Sequence, residues 1–115
     1  MYAMLIAAVI TAAPAKEEKL TLYAFQATWC GPCHRMEPVL KRIEAKGYKV
    51  VRIDVDKQPK LAEKYGVKAL PTCVSVDKQG QEKGRVVGEA DESMLISILR
   101  GVKKVVITIL KILVL

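Results

Sequence analysis

The chain is poor in the residue types that several classes of function require. Aromatic side chains make up 5% of its 115 residues, too few for a platform on which nucleic-acid bases stack. Basic residues outnumber acidic ones by 19 to 12, yet they are not gathered on one stretch. Lys41, Arg42, Lys46, Lys49, Lys57, Lys60, Lys64 and Lys68 are interleaved with Glu37, Glu44, Asp54, Asp56 and Glu63. A nucleic-acid footprint needs clustered basic residues, so the net charge of +7 reads as a mildly cationic solvated surface, and nucleic acid is not an expected partner. Three cysteines are too few for a small secreted scaffold stapled by disulfides. With a single histidine, His34, a closed zinc site would need all of Cys30, Cys33, Cys73 and His34. No metal and no other cofactor is expected. Neither apolar end reaches the roughly 20 residues that span a bilayer, and no internal repeat or low-complexity tract interrupts the chain.

The length and the 51% apolar content fit one domain with a real core. Residues 20–27 are nearly all apolar, as in a central strand covered on both faces. Met36, Val39, Leu40 and Ile43 then recur at helical spacing, with Gly47 as a stop. Residues 50–55 form the next strand, parallel to the first because a helix connects them. Pro59 opens a short helix over residues 60–65, ended by Gly66. Residues 71–76 and 85–88 flank a hairpin turn at Asp77-Lys78-Gln79-Gly80. Asp91 caps a last helix whose buried face carries Leu95, Ile98 and Leu99. The fold class is α/β: a mixed sheet of about four strands, in the order βαβ then ββα, flanked by helices.

Trp29-Cys30-Gly31-Pro32-Cys33 stands where the first strand gives way to the first helix. Two thiols separated by Gly31 and Pro32 can close a small disulfide ring. A thiol at a helix N-terminus meets the positive end of the peptide dipoles, which favours thiolate and lowers its pKa below the free value of about 8.5. Cys30 is therefore the expected nucleophile and Cys33, one turn into the helix, the shielded thiol that acts second. Cys73 lies in a strand pattern, where a buried thiol behaves as a small inert hydrophobe. Trp29 is expected to flank the site as an apolar wall, with a core tryptophan as the alternative.

The motif resembles that of the thioredoxin family, and the resemblance runs over roughly residues 20–101. Pro38 falls where the family kinks its active-site helix, Leu70-Pro71-Thr72 resembles its cis-proline loop, Asp54-Val55-Asp56 ends a strand as the family's does, and Gly80 and Gly88 fall in and near the last hairpin. The resemblance implies the thioredoxin fold and a thiol–disulfide oxidoreductase that reduces protein disulfides through a reversible Cys30–Cys33 dithiol. It implies that Leu70 and Pro71 receive an extended substrate strand. Its partners would be protein disulfides and an upstream reductant, either thioredoxin reductase or a membrane thiol carrier. The alternatives are a carrier of a soft ion such as Cu(I) on the two thiols, or a thioredoxin-like interaction module. One departure stands out. The family's buried acid, which takes the proton from the second cysteine, would lie six residues before Cys30, at Ala24; Arg52 aligns with the basic residue that pairs with it and is left without that partner.

Residues 16–101 are expected to be the domain. Residues 1–15 are apolar and end in Ala13-Pro14-Ala15, like an export cleavage site, which favours an exported or periplasmic location over a cytoplasmic one. Against it, no Lys or Arg precedes the apolar stretch, and the alternative is an N-terminal helix or strand packed on the domain. Residues 102–115 form an apolar, basic extension that fits a helix with a polar stripe or a β-branched strand equally well. A membrane surface, an oligomer contact and packing against the domain are all open to it.

Overall fold

The computed structural model describes residues 19–101; the expectations for residues 1–15 and 102–115 lie outside them. The elements are β1 (Thr21–Gln26), α1 (Gly31–Ala45), β2 (Lys49–Asp54), α2 (Pro59–Lys64), β3 (Thr72–Val76), β4 (Glu82–Val87) and α3 (Glu92–Leu99). They form one sheet in the order β2-β1-β3-β4. The α1 crossover makes β1 and β2 parallel, while β3 runs antiparallel to both β1 and β4. The expected βαβ–ββα order is the observed one.

Alternation along β1 divides the interior in two. Leu22 and Ala24 face α1 and α3, joining Met36, Leu40 and Ile43 of α1, Cys73 of β3, and Leu95 and Leu99 of α3. Phe25 points the other way, to Ile53, Val74, Val76, Ala62 and Tyr65 on the α2 side. A strand with a helix layer on each face must be apolar on both, which is why β1 reads as a continuous hydrophobic run. The site grows from the C-terminal end of this strand, where the loop to α1 begins.

The chain ends its helices as the sequence suggests. After α1 comes Gly47, with a φ of 94°, a left-handed value that costs a side chain but not glycine. At α3, the Asp91 carboxylate accepts the Met94 N–H at 2.9 Å, and that bond holds its pKa below the ordinary carboxylate value. The bounds of β1, β2, α2 and β3 fall within a residue of the sequence reading, and β4 departs further. The first helix starts at Gly31, because the Cys30 sulfur itself caps it. Strand β4 starts at Glu82 rather than near residue 85, since backbone pairing of Glu82 with Val76 and Gly84 with Ser75 needs no apolar side chain.

Gly84 is fixed by packing rather than by backbone conformation. A Cβ there would lie 2.9 Å from the Ile98 Cβ and 3.1 Å from both the Ile98 Cγ2 and the Ser75 Oγ. The Ile98 Cβ cannot swing away without moving α3. Gly84→Ala is therefore expected to lower stability by about 1–3 kcal/mol, the usual range for overpacking. A denaturant melt with an unchanged midpoint would show that α3 shifts freely over β4.

Candidate active site

The loop after β1 brings two thiols to the start of α1. Cys30 has extended backbone, its N–H bonds to the Ala27 carbonyl at 3.1 Å, and its sulfur accepts the Cys33 N–H at 3.2 Å. The thiol thus occupies the position where an Asp or Ser would cap a helix, among N–H groups with no intrahelical partner. Pro32 in the first turn removes a donor that the helix does not need there. Cys30 and Cys33 are joined as a disulfide, with Cα atoms 5.3 Å apart. Both are nearly buried, packed with Ala27 and bordered by Val55 and Leu70.

Across from the disulfide, the Leu70–Pro71 peptide bond is cis. Two hydrogen bonds fix this loop: the Thr72 hydroxyl donates to the Ala69 carbonyl at 2.6 Å, and the Gly88 N–H donates to the Pro71 carbonyl at 2.8 Å. Trp29, Cys30, Gly31, Pro32 and Leu70 line one open groove of about 420 Å³ together with Val55, Val67 and Lys68. Pro71 is buried directly after Leu70. The sequence-predicted site residues, scattered over some forty positions, therefore meet in one place.

Trp29 is 69% exposed, which rules out the core alternative. Its indole N–H donates to the Asp56 carboxylate at 2.8 Å, so the ring is held over the groove by a residue from the loop after β2. Sequence reading gave Asp56 no role. The pair is 27 positions apart, and no local pattern could have joined it. His34 is exposed and its Nε2 bonds to the Thr28 carbonyl at 2.8 Å, which secures the loop before Cys30 and directs that nitrogen away from Cys33.

The core between β1 and the helices α1 and α3 is apolar. Ala24 is 4% exposed and lies beside Arg52 in the β1–β2 register and opposite Cys73 in the β1–β3 register. Burial pushes the Cys73 thiol up to about 12, so this cysteine is inert near neutral pH. Arg52 is not left without a partner. Its Nη2 lies 2.7 Å from Glu37 Oε1 and 2.7 Å from Glu44 Oε1, and its Nε donates to Glu37 Oε2 at 3.1 Å. The bonds to Glu44 and Glu37 raise the guanidinium pKa still further, and that to Arg52 lowers the Glu44 carboxyl. The family's acid is indeed absent beside Arg52, whose partners both come instead from α1.

Among the described residues, no group of three or more His, Cys, Asp and Glu side chains is placed to hold a metal ion. Nor is any described helix long and apolar enough to cross a membrane.

The comparisons with known proteins agree with this geometry. The family model described as Thioredoxin matches residues 8–101. A thioredoxin of Chlamydia caviae is 42% identical over 82 residues, covering 70% of this chain and 79% of that one. Thioredoxin 1 of Synechococcus elongatus is 37% identical over 105 residues, 84% of this chain and 96% of that protein. The crystal structure of a thioredoxin from Nicotiana alata superposes with a TM-score of 0.66 at 41% identity, covering 75% of this chain and 76% of the other. A dithiol at the start of a helix, in this sheet order and with these relatives, does not favour a metal carrier. The chain belongs to the thioredoxin family and is a thiol–disulfide oxidoreductase, a protein-disulfide reductase with protein substrates and a reductant as its partners.

Proposed function

We propose that Cys30 is the attacking thiol and Cys33 the thiol that releases the product. The Cys30 thiolate attacks one sulfur of a protein disulfide and expels the other as a thiolate, forming a mixed disulfide. Cys33, deprotonated, then attacks the Cys30 sulfur; the Cys30–Cys33 bond forms, the mixed disulfide breaks, and the substrate leaves reduced by two electrons. The observation that carries this reading is the position of the Cys30 sulfur as the cap of α1 at the floor of the groove. Leu70 and Pro71 receive the substrate strand through their backbone groups, Gly31 and Pro32 set the helix start, and Trp29, held by Asp56, forms the wall. Reduced by dithiothreitol, the chain should reduce insulin disulfides catalytically and carry no stoichiometric metal. One bound Cu(I) or Zn(II) per chain with no insulin reduction would favour the soft-metal carrier instead.

Residues 16–101 are proposed to be the complete domain, and residues 1–15 an export signal. An exported chain would draw its electrons from a membrane thiol carrier, a cytoplasmic one from thioredoxin reductase. The family match begins at residue 8, within the proposed signal, so truncation is a direct test. A chain of residues 16–101 should unfold cooperatively and reduce insulin at the rate of the full chain. Loss of cooperative unfolding would place one or both flanks in the core.

A further inference from the structure

Release of product requires Cys33 to lose a proton in an apolar setting. Its neighbours are Ala27 and Cys30, bordered by Val55 and Leu70, and Ala24, at the family's acid position, lies in a separate apolar cluster with Met36, Leu40 and Cys73. A thiol in such surroundings keeps its proton unless a base stands nearby. His34 bonds to Thr28, and Cys73, facing from β3, is itself protonated at neutral pH. One carboxylate remains on the correct side. Glu37 lies four positions after Cys33 on α1, so the two side chains share a helix face with Cβ atoms about 6 Å apart.

The surroundings of Glu37 fix its direction. Arg52 holds both of its oxygens, Oε1 to Nη2 at 2.7 Å and Oε2 to Nε at 3.1 Å. Arg52 is also the β2 neighbour of Ala24 in register, so the pair draws the Glu37 carboxylate toward the flank of the Ala24 position. Glu37 and Arg52 keep 33% and 28% of their side-chain surface, so water reaches the Glu37 carboxylate. The other charged groups on this face are Glu44, which also bonds Arg52, and Lys41, which acts on Glu44.

We propose that Glu37 is the proton acceptor for Cys33, acting through one water and positioned by Arg52; this rests on the roles assigned above to Cys30 and Cys33. The carboxylate that is absent from β1 at Ala24 is supplied instead from α1. In the release step the Cys33 S–H proton passes by the water to Glu37. The thiolate forms the Cys33–Cys30 bond as the Cys30–substrate bond breaks, and the departing substrate thiolate takes up a proton. Over both steps Cys30 and Cys33 give up two electrons in becoming a disulfide, and the substrate gains them.

The test uses the reduced full chain and 5,5′-dithiobis(2-nitrobenzoate), which releases one chromophoric thiolate when Cys30 attacks and a second when Cys33 closes the ring. Glu37→Gln should leave the first release unchanged. It should slow the second about tenfold or more at pH 7, a modest general-base effect, and move the pH profile of the second release to higher pH. Glu44→Gln, which removes a different bond of Arg52, should leave both releases as they are. Glu37→Asp should restore part of the rate, and so should Ala24→Asp added to Glu37→Gln. An unchanged second-release profile in Glu37→Gln overturns the proposal. Equal slowing in Glu44→Gln also overturns it, because the ion-pair network rather than the carboxylate would then matter. Loss of the first release in Cys30→Ala supports the Cys30 role on which the proposal rests, whereas a first release surviving there defeats that role and not Glu37 alone.

Discussion

A Cys33→Ser chain is expected to stop turning over while remaining covalently joined to its substrate through Cys30. On the proposed roles Cys30 draws its reactivity from the cap position, which the substitution leaves untouched. What is lost is the second attack. Cys33 sits at hydrogen-bond distance from the Cys30 sulfur through its own N–H, one helical turn away, so its attack is intramolecular. Well-oriented intramolecular reactions reach effective concentrations of about 10⁵ M or more, which no external thiol approaches. Catalytic insulin reduction should therefore fall by more than about a hundredfold in Cys33→Ser and be lost in Cys30→Ser. Cys73 cannot substitute: with a pKa of about 12, about one molecule in 10⁵ carries its thiolate at pH 7, and the group is 1% exposed. Mass spectrometry of Cys33→Ser after incubation with a disulfide peptide should place the adduct on Cys30. An adduct on Cys73 would overturn the assignment of both thiols.

Most of this arrangement is legible along the chain because it is built from local signals. A thiol at a strand-to-helix junction, a proline in the first turn, an apolar stripe over Met36, Leu40 and Ile43, and glycines after helices each act within a few residues, and each was found where periodicity placed it. Leu70 in the groove and Pro71 behind it came from the family resemblance rather than from pattern. What the sequence concealed was carried by contacts between distant segments. Trp29 meets Asp56 because Val55 N–H bonds the Gln26 carbonyl at 2.9 Å, which lays the end of β2 beside the loop of β1. Arg52 meets Glu37 and Glu44 because α1 crosses over β2. The first half of β4 has no hydrophobic alternation, since Glu82 and Gly84 pair through the backbone, Lys83 is the extra residue at a register shift, and Gly84 admits Ile98. Side-chain pattern reports burial; it does not report which charge a crossing helix will bring to a strand.

Ala24→Asp is expected to lower stability by an amount that grows with pH. The site is 4% exposed and lies among Leu22, Met36, Leu40 and Cys73, so burial raises the pKa of the introduced carboxyl above its unfolded value of about 3.9. A raised acid pKa means that the folded state holds the proton more tightly. The variant is thus least penalised below about pH 4, where both states are protonated, and the penalty accumulates as pH rises to the folded-state value. A rise of about two pKa units corresponds to about 2.7 kcal/mol above that value. Arg52 stands beside position 24 in register, but it already binds Glu37 and Glu44, so it offsets only part of the cost. Removing it by Arg52→Ala in the Ala24→Asp background leaves three carboxyl groups without their cation and should lower stability further. Denaturant melts of the single and double variants at pH 4.5 and pH 8 measure both effects. Equal destabilisation at the two pH values would mean that the introduced group is solvated and keeps an ordinary pKa. The core around position 24 would then admit water, contrary to the burial of Ala24 among Leu22, Met36, Leu40 and Cys73.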